Sequence, residues 1–313
     1  MKKNRTIPTF LIFLFLLICG NPFTLWAWEE RTADHFAVQY HQNSASLAAS
    51  VLRSLERAYP RVTADIGHTL HRPVYVYIAT SDREFQSLTR GALPDWGIGC
   101  AFPDSGLIIL KAVAEVVSRA ELEEVAVHEL SHVVLGQALQ GKRVPRWFDE
   151  GLAMYQSREW NIGQSLIMAK AVFTRSVIPL RSIDRVLQFR RDKAQLAYTQ
   201  SFLAISYIIN EHGLNAFQKI VRTLAQTGDM DRTLHNVIGL HYGEFEAHWF
   251  KYVRSKYGWI SLFTNSFYLW VGISVLFLLA FLAKRYRTKR TMERWETEDE
   301  GFHFENEQDY YDY

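Results

Sequence analysis

His128-Glu129-Leu130-Ser131-His132 decides the reading of this chain. The two histidines are four residues apart, so on a helix they share a face and can both reach one metal ion, with Glu129 beside the ion's open position. That is the layout of a zinc hydrolase. The flanks, Ala120-Glu121-Leu122-Glu123-Glu124-Val125-Ala126-Val127 and Val133-Val134-Leu135-Gly136-Gln137-Ala138-Leu139, hold no proline and are rich in helix formers, which predicts a single amphipathic helix. Acidic residues crowd its first turn, where the helix dipole favours negative charge, and Ser118 is the candidate cap. A five-residue motif also arises by chance, so this context carries much of the weight.

A catalytic zinc takes three protein ligands and keeps a fourth position for water, so two histidines are not enough. Glu150 lies 18 residues beyond His132, in Trp147-Phe148-Asp149-Glu150-Gly151, where a second helix is expected to start. Pro145 and the loop before it end the first helix and let the chain return along the metal face.

These stretches resemble the gluzincin metallopeptidases, in particular the peptidase MA-like family of bacterial envelope proteins. The resemblance covers roughly residues 30–255 and includes two weaker stretches, Tyr198-Thr199-Gln200-Ser201-Phe202-Leu203 and Glu244-Phe245-Glu246-Ala247-His248-Trp249. It implies an α+β fold, with a small sheet packed over the helix that carries the histidines and a mostly helical half after it. It also implies one Zn2+ ion held by His128, His132 and Glu150, with Glu129 as the general base in the hydrolysis of peptide bonds of envelope or extracytoplasmic proteins. Tyr198 is the first choice for an oxyanion donor by position, and His212 the second.

The chain departs from the wider pattern at two places. Met154 stands where thermolysin-like enzymes carry an aspartate that orients a zinc histidine, so another group must hold the rings, and Asp149 is the candidate. Gly97-Ile98-Gly99-Cys100-Ala101-Phe102-Pro103 lacks the carboxylate with which related aminopeptidases hold a substrate's amino terminus, which favours an endopeptidase. The alternative reading is a non-catalytic protein that keeps the peptidase fold as a binding or scaffold module of the envelope.

Residues 35–40, 74–79 and 107–110 read as strands, and 44–59 as a helix between the first two. Residues 99–101 read equally as the sheet edge that pairs with an extended substrate or as a plain turn. From 162 to 257 the pattern is mostly helical.

The termini set the expected location. Residues 1–27 have the basic start and short apolar core of a secretory signal, residues 28–259 form the peptidase domain, and 260–283 are apolar for long enough to span a bilayer. Lys284, Arg285, Arg287, Lys289 and Arg290 follow at once, so the C-terminus is expected in the cytoplasm and the preceding domain in the periplasm or at the cell exterior of a bacterial membrane. Residues 284–313 turn from basic to acidic and are expected to be a disordered tail that could bind a cytoplasmic partner. Beyond the signal only Cys100 remains, which excludes an internal disulfide. The net charge of +2 is nearly balanced, and its basic cluster follows from topology, so nucleic-acid binding has no support.

Overall fold

A computed structural model describes residues 28–91, 97–113, 117–258 and 266–308. The expected signal at 1–27, the start of the expected span at 260–265 and the last five residues lie outside the described residues. The chain up to Asn161 together with Ile178–Trp249 makes one compact unit, and Ile162–Val177 together with the chain from Phe250 onward makes a second.

The first unit begins with β1 (Glu29–Thr32) and β2 (Phe36–Tyr40), followed by α1 (Ala45–Ile66), β3 (Val74–Ala79) and the short α2 (Asp82–Thr89). Next come β4 (Gly99–Phe102) and β5 (Leu107–Lys111), then α3 (Arg119–Ala138) and α4 (Arg146–Ser157). All five strands form one sheet in the order β1-β2-β3-β5-β4. The central pairs β2/β3 and β3/β5 are parallel, and both outer pairs are antiparallel, which leaves β4 on an edge. In β3 the expected alternation is present, with Val74, Val76 and Ile78 fully buried and Tyr75 half exposed. The other face packs Ala79 and Ile109 on Phe85 of α2, capped at Ser81.

Helices α1 and α3 pack on one another and on the sheet, α1 against β2 and α3 against β4 and β5. The expected helix at 44–59 runs on to Ile66 with Pro60 inside it, and Gly67 ends it in the left-handed conformation at φ 75°. Helix α3 starts with the full capping box, Ser118 and Glu121 each satisfying the other's backbone N–H. It is not amphipathic as expected. Leu122, Ala126, Leu130, Val133, Val134 and Leu135 are buried around its circumference, because α1, α4 and the sheet cover it from separate sides.

Beyond α4 the chain is helical, as the pattern predicted: α5 (Ile162–Phe173), 3-10 turns at Leu180–Gln188, α6 (Arg191–His212), α7 (Leu214–Thr227), α8 (Met230–Ile238) and α9 (Tyr242–Tyr257). Last comes α10 (Ser266–Gln308). Its stretch Leu269–Met292 has a mean hydropathy of 1.6 and is exposed throughout, which makes it a candidate membrane span. The helix then continues where a disordered tail was expected from residue 284. Residues 284–300 contain no glycine or proline and are rich in Lys, Arg and Glu, straight-chain residues that lose little freedom in a helix.

Candidate metal centre

Two apolar side chains at the start of α4 fix what the next two can reach. Trp147 is fully buried and stacks on Phe245 of α9 with ring centroids 5.7 Å apart, and Phe148 stacks on Phe217 of α7 at 5.5 Å. Successive residues of a helix point about 100° apart, so with these two anchored, Asp149 and Glu150 turn the other way. They meet His132 and His128 on α3.

Glu150 Oε2 lies 3.6 Å from His128 Nε2 and 3.8 Å from His132 Nε2. Among the described residues, these three side chains form a group whose potential ligand atoms all lie within 4.8 Å of one another. Donors at about 2.05 Å from a tetrahedral zinc are separated by roughly 3.3 Å, so the two contacts of Glu150, at 3.6 and 3.8 Å, are near that spacing, and the group as a whole, within 4.8 Å, would draw in around such an ion. The tautomers fit too. His132 Nδ1 lies 2.6 Å from Asp149 Oδ1, and His128 Nδ1 lies 2.8 Å from Glu159 Oε1. An ionised carboxylate only accepts, so each Nδ1 carries a hydrogen, and Nε2 is the nitrogen that faces Glu150, the one that would offer its lone pair to a cation on losing its proton.

Asp149 thus stands where the sequence pointed. Glu159 was missed, because it lies beyond the end of α4. Arg158 adopts the left-handed conformation at φ 63°, ends the helix and turns the chain back. Ser157 Oγ donates to Glu159 Oε1 at 2.5 Å, and the neighbouring Trp160 stacks on Phe202 at 4.6 Å, so the returning segment is pinned on both sides. Spacing along the sequence carries no sign of this. The absent carboxylate at Met154 is compensated by one five residues later.

The electrostatics follow from this crowding. Burial alone would lower His132, but the charge and hydrogen bond of Asp149 outweigh it and raise the ring to about 9. Burial opposes the charged form of His128 as well, and Glu159, Glu150 and Glu129 together hold it well above the usual histidine range. For Glu150 burial acts upward, yet the hydrogen bond from His128 and the charges of both histidines and Arg146 pull it down to about 2. A field that favours protons on imidazoles is one that also attracts a cation.

Glu129 is buried, and burial is the main cause that raises its pKa. Its carboxylate lies against β4. A Cβ added at Gly99 would sit 2.5 Å from Glu129 Oε1 and 2.7 Å from Val125 Cγ1, so this strand can approach the helix only with glycine there. The residues that read as an edge strand or a turn are the edge strand. Cys100 beside it is half-buried, and its thiol is pushed up to about 11 by burial and by Glu129, a setting that disfavours the thiolate.

Tyr198 lies on α6, one turn before Ser201, whose carbonyl faces Gly151 of α4; a Cβ at Gly151 would meet that oxygen at 2.2 Å. The phenol is pushed above its ordinary range by burial first and then by Glu150, with Glu129 and Glu159 adding to it, so the ring is in their electrostatic reach. His212 is not. It ends the same helix fourteen residues on, roughly 21 Å along the axis, with its ring against Tyr207. Two polar residues of the weaker stretches serve the fold. Gln200 bonds both the N–H and the carbonyl of Ile178, and Glu246 accepts from the Leu180 N–H.

Residues 55–255 match the Peptidase MA superfamily, and the chain belongs to it. No curated protein matches the sequence. Among solved structures the chain is similar to a mutant of a two-domain M1 zinc metallopeptidase bound to L-arginine, at 18% identity and a TM-score of 0.42. It is also similar to a mutant M1 zinc metallopeptidase from Deinococcus radiodurans, at 15% identity and a TM-score of 0.38. In each case the match covers 72% of this chain and 51% of the other, so the chain spans about half the length of these neighbours.

Proposed function

We propose that this chain is a zinc-dependent endopeptidase tethered to a bacterial membrane, with its peptidase domain on the outer side. The observation that carries the reading is the convergence of His128, His132 and Glu150, with ligand atoms within 4.8 Å of one another. These three would hold one zinc ion through Nε2, Nε2 and Oε2. The chemistry such an ion supplies is Lewis acidity, which brings the pKa of water at its open position to about 7 and polarises a scissile carbonyl.

The chain's own groups do the rest. Glu129 takes a proton from the attacking water at its carboxylate and delivers it to the leaving amine; burial raises its pKa, which suits a group that must both accept and give up that proton. Tyr198 keeps its phenolic proton, since its pKa is raised, and donates a hydrogen bond to the oxyanion as the carbonyl becomes tetrahedral. The substrate lies extended along the free edge of β4, whose backbone groups pair with it without demanding particular side chains. Because Gly99 touches Glu129, a peptide on that edge passes beside the base. The stretch from Gly97 to Pro103 offers no carboxylate to bind a free amino terminus, which supports cleavage within chains. Lys284, Arg285, Arg287, Lys289 and Arg290, gathered at the C-terminal end of the candidate span of α10, support an inner C-terminus.

The test uses the full chain in detergent. Wild-type protein should bind one equivalent of zinc and cleave unfolded protein substrates. Glu129→Gln should keep the zinc and lose activity by about 10²- to 10⁴-fold, the usual worth of a general base. Wild-type protein without zinc, or a Glu129→Gln variant that cleaves at the wild-type rate, would overturn the reading.

A further inference from the structure

Arg146 is the first residue of α4, one turn before Glu150, and its Nη1 donates to Glu150 Oε1 at 2.9 Å. An i,i+4 pair of this kind is ordinarily a surface contact worth a few tenths of a kcal/mol. Three observations set this one apart. Arginine before glutamate is the weaker order on a helix, and a cation in the first turn opposes the helix dipole, so helix stability does not account for the pair. Only 9% of the Glu150 side chain is exposed, against 37% for Arg146, so the arginine reaches inward to a buried carboxylate. Finally, the two carboxylate oxygens face different partners: Oε1 faces the guanidinium, and Oε2 faces both imidazole nitrogens.

We propose that Arg146 is a positioning residue that commits Glu150 to offering a single oxygen toward the histidine pair; this rests on the metal-site reading above. A carboxylate with both oxygens free can grip a cation with two atoms and occupy the position that water or substrate needs. With Oε1 engaged by Arg146, the protein supplies three donor atoms in all, the number that leaves a zinc site open. The arginine is itself held in register. Its backbone N–H donates to Asp184 Oδ1 at 2.8 Å, and the next residue, Trp147, is locked in the core.

The experiment compares the full-length wild-type chain with Arg146→Ala, Arg146→Gln and Arg146→Lys. Zinc affinity is measured by chelator competition, coordination by the visible absorption of the Co2+-substituted protein, and folding by circular dichroism. Arg146→Ala and Arg146→Gln should bind zinc 10- to 100-fold more weakly, the usual effect of losing a group that supports a ligand. Their cobalt bands should lose intensity, as expected when coordination number rises. Arg146→Lys should recover part of both, since it keeps the charge without the guanidinium fork. Folded Ala and Gln variants with wild-type zinc affinity and an unchanged cobalt spectrum would overturn the proposal and leave the metal site standing. A wild-type chain that takes up neither metal would overturn both.

Discussion

At His128 and His132 each ring nitrogen that faces away from Glu150 is held by its own carboxylate, Glu159 and Asp149 respectively. Each contact sets a tautomer and a ring angle, so each should matter to metal affinity without touching the metal. Glu159→Gln and Asp149→Asn keep the size of the side chain and remove its charge. Each is expected to weaken zinc binding by about 10- to 100-fold in a chelator competition while the circular dichroism spectrum stays unchanged. Equal affinity in all three proteins would show that something else orients the rings. Asp149 was legible because it adjoins a residue already marked by spacing. Glu159 was not, because its approach depends on one backbone conformation, the positive φ of Arg158, and on Trp160 packing against Phe202. Neither leaves a periodic trace.

At the scale of elements, α4 is a helix pinned from two directions. Trp147 and Phe148 hold it against α9 and α7, and Gly151 lets α6 cross close to it, with the Ser201 carbonyl where a Cβ would sit. A glycine inside a helix costs about 1 kcal/mol relative to alanine, so on propensity alone Gly151→Ala should stabilise the protein. The crossing reverses the sign. Overpacking of about 1–3 kcal/mol is expected instead, read as a lower melting temperature, together with weaker zinc binding as Glu150 is pushed off the histidines. A higher melting temperature would mean that the helices can part without loss. The strand at 74–79 was legible from alternation of β-branched and aromatic residues, that at 107–110 from its short apolar run, and α3 from its cap and composition. What remained hidden was that α3 is enclosed on several sides, because burial depends on which helices return to it.

At the scale of the whole molecule, the candidate span in α10 exposes Trp270, Leu276, Phe277, Leu279 and Phe281 together, more apolar surface than a helix in water would leave open. The proposed tether predicts that the full chain stays in the membrane pellet through alkaline extraction, and that Leu276→Lys combined with Leu279→Lys releases it. Each lysine at the centre of a span costs about 2.5–3.5 kcal/mol on insertion scales, enough in pair to offset the apolar residues around them. Release of the wild-type chain by alkali would remove the tether. By itself, the sequence determined the helix of the histidine pair, the identity of the third candidate ligand, the main strands and the apolar run near the C-terminus. These are local or periodic properties, and a chain states them wherever it folds. Only the tertiary structure decided that Glu159 and Arg146 face this cluster, that β4 is an edge strand lying on Glu129, and that Tyr198 lies in the electrostatic reach of Glu150. Those facts depend on how α3, α4 and α6 cross, and the crossings are set where Trp147, Phe148 and Gly151, which flank Asp149 and Glu150, meet Phe245, Phe217 and the Ser201 carbonyl far along the chain.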